Sequence, residues 1–144
     1  NLNMTRFLMS MENAIDLVFF AFKNGKNGDI FVRKSPAATI KTIIQALAKN
    51  LKKKYSIKKI GIRHGEKIHE TLLTKEELRK SKNYTNYFKI ISDNRDLNYD
   101  KFFSDGLKNK NKTEDYTSEN TKRLNINETA KIIRNITKKK NFIN

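Results

Sequence analysis

"KKIGIRHGEKIHETLL", residues 58–73, sets Arg63, His64, Glu66, Lys67, His69 and Glu70 beside two of the chain's five glycines, just after an apolar run. It also holds both histidines of the protein. The run "IKKIGI", residues 57–62, predicts a strand that delivers the chain to Arg63. Three chemistries compete for such a stretch: a metal site, an acid–base pair, or a clamp for an anionic ligand.

The metal reading is weak. His64 and His69 are five positions apart, about 140° around a helix, so they do not share a face as a zinc-binding His-Glu-x-x-His pair does. A calcium-like pattern in "DLNYDK", Asp96–Lys101, fails because Lys101 stands where the loop needs glycine and Leu107 where it needs the closing glutamate. His69 lies among carboxylates and suits either acid–base work or a hydrogen bond at the edge of a core. The anion clamp draws on a scarcity: the chain has seven Arg against 24 Lys. Arg offers planar, two-pronged phosphate recognition that Lys does not, and Arg63 sits close to Gly65, where backbone can approach a ligand.

Outward from this stretch, Ser10 caps a predicted helix over Met11–Asn24, and Gly25 stops it. A short strand follows over Ile30–Arg33, with a turn at Ser35-Pro36. Thr39 then caps a helix in which Ile40, Ile43, Ile44, Leu47 and Leu51 fall at helical spacing. Thr74 and Glu77 form a capping box for a short helix to Lys80. Residues 87–91 predict another strand, "SDNRDLNYDKFF" a polar turn with an extended segment, and 106–120 a loop. A last helix is expected over Glu128–Lys138. The alternation of helices and strands predicts the α/β class.

The 144 residues allow one ordinary domain, with a modest core or one completed from outside the chain. The first residue is Asn1 rather than Met, so the chain is expected to be a piece of a longer reading frame. With no cysteine, disulfides, cysteine–zinc sites and thiol catalysis are excluded. The longest apolar run, Ala14–Phe22, is interrupted by Asp16 and falls well short of the about 20 residues that span a bilayer, so a soluble, cytoplasmic protein is expected. The net charge of +16 invites a nucleic-acid partner. However, 24 Lys, 18 Asn and 16 Ile also signal AT-rich coding, and aromatics do not interleave with the Lys runs at 52–54 and 138–140.

Four segments in order, "MTRFLMSMENAIDLVFFAF", "NGDIFVRKSPAATI", "IGIRHGEKIHETLLTKEEL" and "SDNRDLNYDKFF", resemble one family from Met4 to about Asn120. They look like the C-terminal half of the polysaccharide-biosynthesis (capsular) branch of extended short-chain dehydrogenases/reductases, whose members include UDP-N-acetylglucosamine 4,6-dehydratases, some also 5-epimerases. The resemblance implies a UDP-sugar-binding portion over 1–105, with 106–144 as a polar loop and helical extension. It implies substrate contacts at Arg6 with its neighbours Met4 and Thr5, and at Arg63 on the other side of the same pyrophosphate. Glu66 would meet the ribose hydroxyls or orient an arginine.

The same resemblance implies a reaction in which the sugar C4 is oxidised by hydride transfer to NAD(P), water is eliminated across C5 and C6, and the hydride returns. An N-terminal Rossmann half would hold NAD(P). Glycines at 25, 28, 61, 65 and 106 cannot cradle a dinucleotide. The one Tyr-x-x-x-Lys spacing, Tyr55 to Lys59, is a chance match that opens a predicted strand. This chain is therefore expected to bind no cofactor, to carry no catalytic residue and to be inactive alone. Its expected partners are a UDP-sugar, the Rossmann half and further copies in a homo-oligomer. Two alternatives stand beside the dehydratase: a UDP-hexose 4-epimerase of the same superfamily, and a basic nucleic-acid-binding protein.

Overall fold

The computed structural model describes residues 1–58, 60–92 and 114–140, with 136–140 as helical backbone alone. Seven short strands and four helices follow in the order β1 (Thr5–Phe7), α1 (Met11–Asn24), β2 (Ile30–Arg33), β3 (Ala37–Thr39), α2 (Ile40–Leu51), β4 (Thr71–Leu73), α3 (Lys75–Lys80), β5 (Ser81–Asn83), β6 (Tyr87–Ile90), β7 (Tyr116–Thr117) and α4 (Ile126–Lys140). The mixture confirms the α/β class. The chain divides into two units. One draws on Asn1–Ala14, Ser35–Glu70 and the described part of Thr117–Asn144, the other on Ile15–Lys34 and the described part of Thr71–Tyr116.

In the first unit β1 and β3 pair antiparallel, with Thr5 opposite Thr39, Arg6 opposite Ala38 and Phe7 opposite Ala37. Backbone bonds from Ala37 to Lys122 and from Leu124 to Ala37, 2.9 and 2.8 Å, lay the segment before α4 along the other side of β3. Ala37 and Ala38 are completely buried. The Thr39 hydroxyl accepts the Thr42 N–H at 3.0 Å and starts α2 where the sequence predicts it. The helix ends on Lys52 in a left-handed conformation, φ 52°, which returns its N–H to the last carbonyls. α2 packs on α4, where buried Ala46 and Ala130 allow close approach and Asn50 donates to the Ala130 carbonyl at 2.8 Å.

The second unit is built on the antiparallel sheet β2–β6–β5. Leu73, Leu78 and Phe88 form its core, with Val32, Ile90 and Tyr116 packed against them. The Phe20 ring of α1 stacks on Tyr87 at 4.3 Å and meets Phe31 and Tyr84 edge-on. Lys89 joins this layer, its ammonium 5.4 Å from the Phe31 ring centroid. Its ammonium is 2.7 Å from the Asp29 carboxylate and also donates to the Asn24 carbonyl, tying the end of α1 to the loop before β2.

Two local expectations fail. Residues 57, 58 and 60–62 form no strand. Gly61 takes φ 87°, a left-handed conformation that breaks an extended run, and Ile60 and Ile62 stay exposed. The expected loop of 106–120 contains β7 at Tyr116–Thr117, which pairs with β4. The segment with the calcium-like pattern lies outside the described residues, as does Lys59 of the Tyr-x-x-x-Lys spacing.

Candidate functional site

Thr5 organises the site. Its N–H donates to the Ile68 carbonyl at 3.0 Å, which seats β1 against the segment that follows Arg63. Its hydroxyl lies 2.8 Å from His69 Nδ1 and 2.6 Å from the Ser118 hydroxyl. Ser118, wholly buried, donates to the Thr5 carbonyl at 3.2 Å and accepts the Glu70 N–H at 2.8 Å, while its own N–H donates to the Glu70 carbonyl at 2.8 Å. Three stretches far apart in sequence, 4–6, 66–70 and 117–119, are thereby stapled together.

Arg6 follows Thr5 on β1 and is one-quarter exposed. Its Nη1 donates to the Thr5 carbonyl at 2.7 Å and to the Ile68 carbonyl at 3.3 Å, fixing one edge of the guanidinium on backbone. The other edge faces two carboxylates, with Nε 3.5 Å from Glu70 and Nη2 3.8 Å from Glu66. Both separations exceed the about 2.7–2.9 Å of a charge-assisted hydrogen bond, so the two carboxylates meet this edge as ion pairs.

Glu66 also accepts the Arg63 N–H at 3.1 Å, and its own N–H donates back to the Arg63 carbonyl at 3.0 Å. The two bonds close a tight turn through His64 and Gly65, where Gly65 takes φ 78°. Arg63 itself is exposed, and its guanidinium has no acceptor among the described residues. Glu66 thus touches both arginines singled out in the sequence. Met4 and Thr5, also singled out, are 3% and 2% exposed, so their side chains face the interior. Sequence reasoning missed Glu70 and Ser118 in this cluster. The only hint was the mixed-charge segment itself for Glu70, and no signal marked Ser118.

His69 Nε2 lies 3.6 Å from the Glu119 carboxylate, and His64 is exposed in the turn. Among the described residues no three His, Asp or Glu side chains converge as metal ligands. Among the described residues the β1–β3, β2–β6 and β5–β6 pairs are antiparallel, and the open glycines at 61 and 65 lie just before and within an exposed turn rather than at a strand-to-helix crossing.

Comparison with known proteins places this α/β scaffold among the extended short-chain dehydrogenases/reductases. The chain belongs to the polysaccharide biosynthesis protein family: residues 1–92 match the family model of that description, and residues 93–138 match that of the polysaccharide biosynthesis protein C-terminal region. It is 49% identical over 134 residues to a UDP-glucose 4-epimerase of Rickettsia bellii, covering 93% of this chain and 39% of the relative. Identity is also 49% to the UDP-glucose 4-epimerase of Rickettsia akari, over 91% of this chain and 38% of the relative. The chain therefore spans about two-fifths of the length of these curated relatives. Among solved structures, Pen from Bacillus thuringiensis superposes with a TM-score of 0.71 at 26% identity, over 94% of this chain and 38% of that one.

Proposed function

We propose that this chain forms the UDP-sugar-binding portion of a nucleotide-sugar 4-epimerase that serves surface polysaccharide biosynthesis. The relatives named as UDP-glucose 4-epimerases favour epimerisation over the 4,6-dehydration to which the motif resemblance gave first place. The observation that carries the reading is the Arg6 guanidinium, anchored on backbone along one edge and only loosely held by Glu66 and Glu70 along the other. A diphosphate can take the loose edge, while Arg63 approaches from the turn that Glu66 closes. Each charge-assisted hydrogen bond adds about 1.5–3 kcal/mol. Met4 and Thr5 serve by seating β1 rather than by touching the ligand with their side chains.

NAD(P), in this reading, is held by a dinucleotide-binding half of the whole enzyme and not by these residues. The whole enzyme works as a homo-oligomer in the cytoplasm. Among the described residues no helix is long and apolar enough to cross a membrane.

Calorimetric titration of the chain with UDP tests the clamp. Binding that is lost in both Arg6→Ala and Arg63→Ala supports it. Tight, steeply salt-dependent binding to DNA or RNA that ignores both substitutions would replace it with the nucleic-acid reading. The four ordered motifs keep the dehydratase as the second reading. Product analysis of an enzyme joining this chain to a dinucleotide-binding half separates the two: C4 inversion supports the epimerase, and a 4-keto-6-deoxy sugar supports the dehydratase.

A further inference from the structure

We infer that His69 is a positioning residue for Arg6, acting through Thr5 as the tautomer that carries its proton on Nδ1. The inference deepens the diphosphate clamp proposed above and rests on it only for its ligand.

The argument is an accounting of protons. Three contacts converge on Thr5: His69 Nδ1 to its hydroxyl, its hydroxyl to that of Ser118, and the Ser118 hydroxyl to its carbonyl. Thr5 and Ser118 supply one hydroxyl proton each. All three contacts are hydrogen bonds only if the third proton comes from His69 Nδ1. The chain of donation then runs from His69 to Thr5, from Thr5 to Ser118, and from Ser118 back to the Thr5 carbonyl. Ser118 completes its capacity by accepting the Glu70 N–H. If the proton sits on Nε2 instead, Thr5 must donate to the ring and Ser118 to Thr5, and the bond from Ser118 to the carbonyl is lost. Thr5 and Ser118 are 2% and 0% exposed, so water does not replace the missing donor.

That carbonyl is the one on which Arg6 Nη1 rests, and Glu70, which faces Arg6 Nε, hangs from Ser118 through both its N–H and its C=O. The position of one proton on His69 therefore sets whether the Thr5 carbonyl that holds the guanidinium also keeps the Ser118 hydroxyl as a partner. Glu119, two-thirds exposed, stands opposite Nε2 at 3.6 Å, too far for a hydrogen bond from a neutral ring. Its charge favours a proton on Nε2, but that attraction is screened by solvent and makes no hydrogen bond to offset the one lost inside.

The test uses the chain itself. Nitrogen-15 NMR of the neutral His69 ring is expected to show a protonated Nδ1 and a bare Nε2; the opposite pattern, or fast averaging of the two, overturns the inference. In His69→Asn the amide nitrogen takes the place of Nδ1, whereas in His69→Gln it takes the place of Nε2. His69→Asn is expected to keep the UDP Kd within about twofold and the Arg6 Nε–H resonance unmoved. His69→Gln is expected to raise the Kd about fivefold, the worth of one hydrogen bond, and to shift that resonance. Equal effects of the two variants, with matched thermal unfolding, would reduce His69 to a structural role. If the unsubstituted chain does not bind UDP, the clamp reading fails, while the ring spectrum and the Arg6 resonance still decide this one.

Discussion

Arg6 and Arg63 share one carboxylate: Glu66 Oε1 lies 3.8 Å from the Arg6 guanidinium, and Oε2 accepts the Arg63 backbone N–H at 3.1 Å. The pairing places an arginine on β1 beside the turn that bears the other, and it leaves the Arg6 outer edge loosely held. Arg6→Ala is expected to weaken UDP binding by about tenfold to a hundredfold for each phosphate bond lost. Arg6→Lys should recover little of this, because an ammonium cannot bond the Thr5 and Ile68 carbonyls and a phosphate in the same plane. Titration calorimetry at two salt concentrations reads both effects.

Low pH acts on the second unit through Asp29. The hydrogen bond from Lys89, first among the causes, with backbone N–H donors of Lys26 and Ser92, lowers its pKa from 3.8 to about 2. A depressed carboxylate contributes stability that is fully present above its unfolded pKa and lost as pH falls through its folded one. Urea unfolding should therefore show the unit weakening between about pH 4 and pH 2. In Asp29→Asn that slope flattens, and stability at neutral pH drops because Lys89, 11% exposed, keeps its charge without its partner.

Gly28 and Gly65 both take positive φ, 82° and 78°, but their surroundings differ. A Cβ at Gly28 would stand 2.8 Å from Ser92 Cβ, while one at Gly65 meets nothing within 4 Å. Gly65→Ala should cost only the left-handed backbone, about 1–2 kcal/mol. Gly28→Ala should cost more, and thermal melts of the two variants check the order. A Gly28→Ala protein as stable as Gly65→Ala would contradict the close approach.

Asn125 and Glu128 exchange reciprocal bonds at 2.9 Å, a capping box at the start of α4. Asn125→Ala is expected to cost about 1 kcal/mol. Circular dichroism during urea unfolding should report it as an earlier loss of helix.

The helices were legible because their causes are local. Ser10, Thr39 and Thr74 each accept an N–H three residues on, and α1, α2 and α3 start and stop where the caps and apolar spacing place them. The start of α4 was missed by two residues: Asn125, a cap as good as serine, starts it at Ile126. The strands were less legible. β1, β3, β4, β5 and β7 are two or three residues long, too short for alternation to show, and each is a strand only because a partner lies alongside. The reverse holds at 57–62, where apolar residues suggested a strand and Gly61 turned the chain away.

The sequence by itself determined the α/β class, the three helices with their caps and the interest of Arg63, while the family resemblance added Arg6 and Glu66 as residues to watch. Only the tertiary structure brought Thr5, His69 and Ser118 together across separations of 64 and 113 residues. Helical bonds join neighbours and so are written in the local pattern, whereas a hydroxyl network and a short strand exist only when chain closure delivers their distant partners.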